Sequence, residues 1–344
     1  MNCFCTIVTR SHLPYARALA ESLRTSGNQE KLLVLVADSD PAGEAIENCS
    51  LLSLTGLNPA PPAGMNVYFD GFELCNALKP FLIAHALHTG AQQVIYLDAD
   101  IFCTGSFARI WSGPPAALQL TPHHLQPPSL ALSYIRESEV ADMGFLNGGF
   151  ARWQAGAATD AILRWMMERF PVQGFCDRSH GMFVDQKLLP LLLAYFPADV
   201  AILRDPGLNV AFWNLHERAV SMLNGVPMVA GSPVLFFHMS GYRLAEPEAA
   251  CAYLPKPTNQ AILEAAPWFR AVLAQYRELL LRHGADQPTP EYGHASHDGL
   301  TLTPALRRHY FLTRSLSPLA PAVLRIRFID WLKTVRRWLR RHLF

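Results

Sequence analysis

The chain has 344 residues, half of them hydrophobic, and a formal net charge of only +1. That composition excludes a disordered chain and a bulk polyanion binder, and the length suits one large domain with an appendage, or two domains. The first ten residues lack the basic and long apolar regions of a signal peptide, and no uninterrupted apolar run reaches the roughly 18 residues of a membrane span.

Residues 3–9 read as a buried strand, and residues 14–25 as an amphipathic helix with Leu19 and Leu23 on one face. Residues 31–37 are a second strand ending at Asp38, so the opening is a βαβ unit with parallel strands. A Pro- and Gly-rich loop covers 58–64. A helix over 72–89 follows, with Pro80 marking a break or a new start. It leads into a strand ending at Asp98. Residues 116–120 read as a strand, 122–128 as a loop and 129–140 as a mobile segment near the site. Residues 145–151 form a short strand or turn around Asn147-Gly148-Gly149. Helices are expected over 159–170 and over 184–195, the latter interrupted at Pro190, with late strands at 200–203 and 234–238. Beyond about Tyr242 the pattern is helical and punctuated by proline. The seven scattered cysteines read as reduced thiols; only Cys3 and Cys5 are close, on one face of the first strand.

The most informative stretch is Val94-Ile95-Tyr96-Leu97-Asp98-Ala99-Asp100-Ile101-Phe102. An apolar strand ends in two carboxylates one residue apart, and period-2 geometry points both the same way. Like charges there repel unless a cation or water lies between them. Hard oxygen ligands at this spacing suit Mg²⁺ or Mn²⁺ carrying a phosphorylated substrate. Acidic residues also end strands simply as turn or cap formers. A second signal is Leu235-Phe236-Phe237-His238-Met239-Ser240-Gly241-Tyr242, where a histidine ends an apolar strand and suits a third ligand; a satisfied core histidine is the alternative. Further polar residues, Thr9-Arg10, Asn147 and Asp185-Gln186, also fall at predicted strand ends, where open α/β sheets bind ligands.

Taken together, these residues resemble glycosyltransferases of the GT-A fold, most closely the retaining family 8 type, and a bacterial group that builds surface glycans. The matching segments are TIVTR in the first strand, ELCNALKP at 73–80, VIYLDADIF, GFLNGGF at 144–150, FVDQKLL at 183–189, DPGLNVAFWNLHER at 205–218 and FFHMSG at 236–241. They cover roughly residues 3–245. The resemblance implies an α/β fold, a Rossmann-like mixed central sheet flanked by helices, with a helical C-terminal extension. Asp98, Asp100 and His238 would hold Mn²⁺ (or Mg²⁺) on the diphosphate of a nucleotide-sugar donor. Thr6, Val8, Thr9 and Arg10 would line the nucleotide. Lys79, alternatively an ordinary helix-surface lysine, would meet phosphate or donor sugar, together with Ala99, Asn147 and Gly148. The Asn147 segment would otherwise be a plain left-handed turn. Asp185 and Gln186 would face the anomeric carbon, Gln186 as stabiliser in a front-face, retaining reaction; Asp185 acting as general base would instead give inversion.

Departures are informative. Where the family continues the histidine segment to a lysine on the diphosphate, this chain has Leu244, with Arg243 one position earlier as candidate substitute beside Gly241. The aromatic residue for uracil is not obvious; His12 and Tyr15 are candidates, so UDP is implied by resemblance only. In the DPGLNVAFWN segment Phe212 is expected in the core, while Trp213 either stacks on a sugar or packs.

Residues 322–344 are a separate unit. Leu324, Phe328, Trp331, Leu332, Val335, Trp338 and Leu339 recur at helical spacing among arginines and lysine, with Asp330 the lone acid. A basic amphipathic helix of this kind suits an anionic membrane surface; a docked C-terminal helix is the alternative. The expected division is a catalytic domain at 1–245, a helical extension and flexible connector at 246–320, and the basic helix at 321–344. The expected function is metal-dependent transfer of a sugar from a nucleotide-sugar to a glycan or lipid-linked acceptor in surface polysaccharide or lipopolysaccharide synthesis. The expected setting is the cytoplasm, at the inner face of its membrane, with no nucleic-acid partner. The rivals are a sugar nucleotidyltransferase and a membrane-peripheral scaffold.

Overall fold

The structure, a computed structural model, describes residues 1–129 and 137–316. Strand β1 (Asn2–Val8), helix α1 (Leu13–Thr25), β2 (Lys31–Val36) and β3 (Cys49–Ser53) open the chain. The short α2 (Met65–Tyr68) and long α3 (Gly71–His88) lead to β4 (Gln93–Leu97), β5 (Ile101–Cys103), α4 (Ala108–Trp111) and β6 (Leu118–Pro122). Then come α5 (Glu137–Met143), β7 (Leu146–Gln154), α6 (Ala157–Gln173), the two-residue strands β8 (Cys176–Asp177) and β9 (Met182–Phe183), α7 (Leu189–Tyr195) and β10 (Val200–Ile202). A hairpin of β11 (Val220–Leu223) and β12 (Val226–Val229) is followed by β13 (Ser232–Pro233) and β14 (Phe236–His238). Helices α8 (Lys256–Ala265), α9 (Phe269–Arg282) and α10 (Pro304–Thr313) complete it.

The seven-stranded sheet runs β10-β6-β7-β4-β1-β2-β3. β1 is parallel to both β2 and β4, β2 to β3 and β6 to β10, whereas β7 lies antiparallel between β4 and β6. This is the mixed sheet flanked by helices that a GT-A fold requires. Central strands such as β2 (KLLVLV) are apolar along their length because both faces are covered. On one face Cys5, Ile7 and Tyr96 pack against Leu74, Leu78 and Phe81 of α3 and Phe170 of α6. On the other, Phe4, Val8 and Ile95 meet Ala16, Leu19 and Leu23 of α1, spaced to form one helical stripe. Each of the leucine, isoleucine, valine and phenylalanine side chains among them contributes roughly 1.5–3 kcal/mol by leaving water. Helices α8 and α9 bury Ile262, Leu263, Val272 and Tyr276 in a cluster with Val210, Phe237 and Met239 of the preceding region.

Several local expectations change. α3 is continuous through Pro80, whose neighbours on nearly every side are buried; tertiary packing outweighs the missing hydrogen bond. It starts at a capping box, Asp70 accepting from the Glu73 N–H at 2.8 Å and the Glu73 carboxylate from the Asp70 N–H at 3.3 Å. Pro190 begins α7 rather than interrupting it, a position where its absent N–H costs nothing. Asp185 and Gln186 therefore lie in the turn before the helix. Residues 146–154 form one nine-residue strand, not a turn. Within 129–140, residues 137–140 open α5; the rest of that expected segment past Ser129, and the tail at 322–344, lie outside the described residues. Among the described residues no helix is long and apolar enough to cross a membrane.

Candidate active site

β4 delivers Asp98 and Asp100 just past the carboxyl end of a parallel strand. The turn is fixed by the Asp98 N–H donating to the Gly149 carbonyl at 2.9 Å and the Ile101 N–H donating back to the Asp98 carbonyl at 3.1 Å. β5 then pairs antiparallel with β14 in a register that sets His238 opposite Ile101. The Met239 N–H donates to the Asp100 carbonyl at 2.9 Å. A residue some 138 positions downstream is thereby seated beside the carboxylate pair: His238 Nε2 lies 3.3 Å from Asp100 Oδ1, and ligand atoms of Asp98, Asp100 and His238 all fall within 4.8 Å of one another.

Burial and charge pull against each other here. Burial pushes His238 toward the neutral form, but the adjacent Asp100 outweighs it and raises its pKa. Burial likewise works against ionised Asp100, and His238 more than offsets it, so Asp100 lies below the usual carboxylate range. Asp98 is raised, burial and the Asp100 charge together exceeding the pull of Lys79. Asp100 Oδ1 is buried and, although His238 Nε2 lies 3.3 Å away, accepts no hydrogen bond among the described residues. Two hard carboxylates and one imidazole around an unsatisfied oxygen form a donor set that fits Mn²⁺ or Mg²⁺.

Lys79 is no surface lysine. Its Nζ is buried, donates to Asp185 Oδ2 at 2.9 Å and to the Gly148 carbonyl at 2.9 Å, and lies 3.4 Å from Asp98 Oδ1. Burial alone would favour neutral Lys79, but Asp185 and then Asp98 hold it charged. The ammonium also sits over the Tyr96 ring, 5.0 Å from its centroid, and the Tyr96 hydroxyl donates to Asp98 Oδ1 at 2.8 Å. Tyr96 was missed by sequence reasoning, although it shares a strand face with Asp98 by the period of two.

Asn147, Gly148 and Gly149 belong to β7, where the pairing with β6 slips between Leu120 and Thr121 so that Ala151 and Asn147 face consecutive partners. This bulge lets the strand reach the site. Its glycines are needed for space rather than for positive φ. A Cβ on Gly148 would stand 2.5 Å from Asp185 Oδ2, and one on Gly149 2.4 Å from His238 Cε1. The Gly148 N–H donates to Gln186 Oε1 at 3.3 Å, so the strand edge meets both predicted catalytic side chains. Asn147 accepts from the Gly149 N–H and turns its Nδ2 to His123 Nε2 at 3.2 Å. Burial pushes His123 down to about 4. Asp185 Oδ1 is a second buried carboxylate oxygen without a partner among the described residues.

Thr6 and Val8 are buried beneath the surface. Thr9 Oγ1 contacts Ser11 Oγ at 2.8 Å and His12 Nδ1 at 3.0 Å. The rings of His12 and Tyr15 stand 5.2 Å apart, and the Asp100 charge is felt at both. The Arg10 side chain is exposed and lines a cavity of about 270 Å³ with Arg17, Glu44 and His283, apart from the carboxylate cluster. The Arg10 N–H donates to Asp38 Oδ1 at 2.7 Å, and the Gly293 N–H to Asp38 Oδ2 at 3.0 Å. The stretch read as a connector is thus tied down by Asp38, and Arg307 secures it further by donating to the carbonyls of Val67, Phe69 and His294. Ala99 is half-buried between the two carboxylates. Gly241 adopts φ 73° with its would-be Cβ against Cys251 and Tyr253. Arg243 is exposed, its guanidinium 6.0 Å from the Tyr253 ring centroid. Phe212, expected in the core, is half-buried, whereas Trp213 is buried edge-on to His238 at 5.2 Å.

No family model matches the chain. Its sequence is similar to the uncharacterized protein YfnF of Bacillus subtilis, 26% identical over 71% of this chain and 82% of that protein. It is likewise similar to the uncharacterized protein YfnD of the same organism, 25% identical over 70% of this chain and 78% of that one. In structure it is similar to the galactosyltransferase LgtC in complex with donor and acceptor sugar analogues (TM-score 0.47, 14% identity, 85% of this chain and 98% of that one). It is also similar to the glycosyltransferase GlyE of Streptococcus pneumoniae (TM-score 0.44, 13% identity, 82% and 63%).

Proposed function

We propose that the protein is a metal-dependent glycosyltransferase that moves a sugar from a nucleotide-sugar, with UDP as the preferred nucleotide, onto a glycan or lipid-linked acceptor. The observation that carries this reading is the Asp98–Asp100–His238 group at the carboxyl end of β4, with the buried Lys79–Asp185 pair at 2.9 Å beside it. A divalent ion held by the three would neutralise charge developing on a leaving diphosphate. The chain's own residues supply the rest. Lys79 places a fixed positive charge between Asp98 and Asp185. Asp185, paired with that ammonium, accepts a hydrogen bond from a donor-sugar hydroxyl through Oδ1, which has no partner among the described residues. Gln186, an amide and a poor nucleophile, is steered by the Gly148 N–H and supports departure with retention. Thr9, His12 and Tyr15 face the nucleoside, and Arg243 offers a positive charge at the rim; Arg10, whose side chain lines the cavity with Arg17 and Glu44, is not assigned to the nucleoside.

Calorimetric titration of UDP, GDP and UDP-sugars, with Mn²⁺ and with EDTA, tests it. Metal-dependent binding of one nucleotide is expected; no binding under either condition would overturn the donor class. A sugar nucleotidyltransferase is disfavoured because Thr9-Arg10-Ser11-His12 holds no glycine for a phosphate loop. We further propose that residues 322–344 attach the enzyme to the inner face of an anionic membrane, where a surface-polysaccharide or lipopolysaccharide acceptor would be met. Removing them should abolish sedimentation with anionic liposomes, and unchanged sedimentation would refute attachment.

A further inference from the structure

We propose that Asn209 is a positioning residue for His238: it holds the ring hydrogen on Nδ1, so that in the neutral ring the Nε2 lone pair faces Asp98 and Asp100. The purpose of this arrangement rests on the metal reading above; the placing of the hydrogen does not.

His238 Nδ1 lies 3.1 Å from Asn209 Oδ1, and both side chains are buried. An amide offers an acceptor on one side and donors on the other, so its orientation decides the tautomer. Here Nδ2 is directed to the Pro122 carbonyl at 3.4 Å, leaving the oxygen toward the ring. An oxygen that only accepts calls for the hydrogen on Nδ1; Asp100 Oδ1, 3.3 Å from Nε2, also only accepts, but in this geometry it makes no hydrogen bond to the ring. The backbone repeats the message. Asn209 sits at φ 55°, in the left-handed region that asparagine tolerates better than most residues. Its carbonyl accepts from Asn214 Nδ2 at 2.8 Å, and the same nitrogen donates to the His123 carbonyl at 3.0 Å. Asn214 Oδ1 in turn accepts from the Ala211 N–H at 3.0 Å. The loop is stapled before it reaches the histidine.

The ring is also walled. Trp213 meets it edge-on with a centroid separation of 5.2 Å and an interplanar angle of 79°. Gly149 approaches so closely that even a methyl group would strike Cε1. The His238 N–H donates to the Val210 carbonyl at 2.9 Å, anchoring the main chain to the same loop. Rotation of the imidazole is closed on several sides, and one nitrogen remains for the carboxylate pair. Partners that fix a ligating histidine typically change metal affinity by about 10- to 100-fold when removed.

The test uses the full-length protein and two variants. Asn209→Gly keeps the positive φ and removes the acceptor; Asn209→Asp keeps an acceptor oxygen. Ring ¹⁵N shifts of His238, measured without metal in the pH range where the ring is neutral, read the tautomer directly. Mn²⁺ affinity is read by electron paramagnetic resonance, and thermal melts check folding. The expected result is hydrogen on Nδ1 in the wild type, mixed tautomers in Asn209→Gly with Mn²⁺ affinity reduced about 10- to 100-fold, and near wild-type behaviour in Asn209→Asp. Hydrogen on Nε2 in the wild type overturns the proposal, as do wild-type shifts and affinity in Asn209→Gly. If the wild type takes up no Mn²⁺, the metal reading fails while the ring shifts still decide the role of Asn209. If Asn209→Gly does not fold, the wild-type and Asn209→Asp shifts decide it.

Discussion

Two carboxylates occupy equivalent places in this fold and have opposite fates. Asp38 follows the end of β2, and Asp98 follows the end of β4, the parallel strand on the other side of β1. Both oxygens of Asp38 are taken up by main-chain N–H groups of Arg10 and Gly293. Asp98 instead faces another carboxylate, a buried ammonium and a tyrosine hydroxyl. Backbone donors satisfy Asp38 whatever else is bound, so it is a staple that ties residue 293 to the sheet. The Asp98 group is a set of competing charges with two neighbouring buried carboxylate oxygens that accept no hydrogen bond among the described residues, as expected of the ligand site proposed above. A strand-end aspartate is therefore not a site by virtue of its position; its partners decide.

Mutations can break or sharpen this contrast. The largest effect is expected for Asp100→Ala, which should abolish turnover, a loss of several kcal/mol or about 10³-fold in rate, while circular dichroism and the melting curve stay near wild type. Full activity in that variant would sink the metal assignment. Lys79→Met comes next: Asp98 and Asp185 would be left without their cation, and removing one partner of a buried pair costs about 3–5 kcal/mol. Urea melts should show a midpoint far below wild type, and an unchanged midpoint would mean that the pair is not buried in solution.

His123 gives a pH test one shell out. Its pKa is lowered by burial from 6.5 to about 4. The folded state therefore keeps it neutral while the unfolded chain takes up a proton. Its contribution is intact above pH 6.5, falls as pH drops from there to about 4 and then levels off, by about 3 kcal/mol at most. His123→Gln should flatten that part of the stability-versus-pH curve, and an identical slope in the variant would count against it. The smallest effect is expected for Asp38→Asn, which keeps one acceptor and loses the charge. It should cost about 1–2 kcal/mol and loosen residues 292–294 in hydrogen exchange, with Mn²⁺ affinity unchanged. A loss of metal binding there would erase the distinction between the two aspartates.

The chain's own order determined a good deal. The apolar runs of β1, β2 and β4 declare buried parallel strands, because only a strand covered on both faces tolerates so few polar residues. The alternation Asp98-Ala99-Asp100 puts two carboxylates on one side by local geometry alone. Other features depended on partners distant in sequence. Pro80 stays inside α3 because that helix is packed all round. Asp185 lies in a turn since Pro190 starts α7. Gly148 and Gly149 serve close approach to Asp185 and His238 within a bulged strand, which no local preference for a turn would reveal. The seating of His238 beside Asp100 follows from the β5–β14 register, and Lys79 becomes an interior cation only when α3 docks on β4. Periodicity reports which face of an element is buried; it does not report what that face meets, and the charges of this site acquire their roles from what they meet.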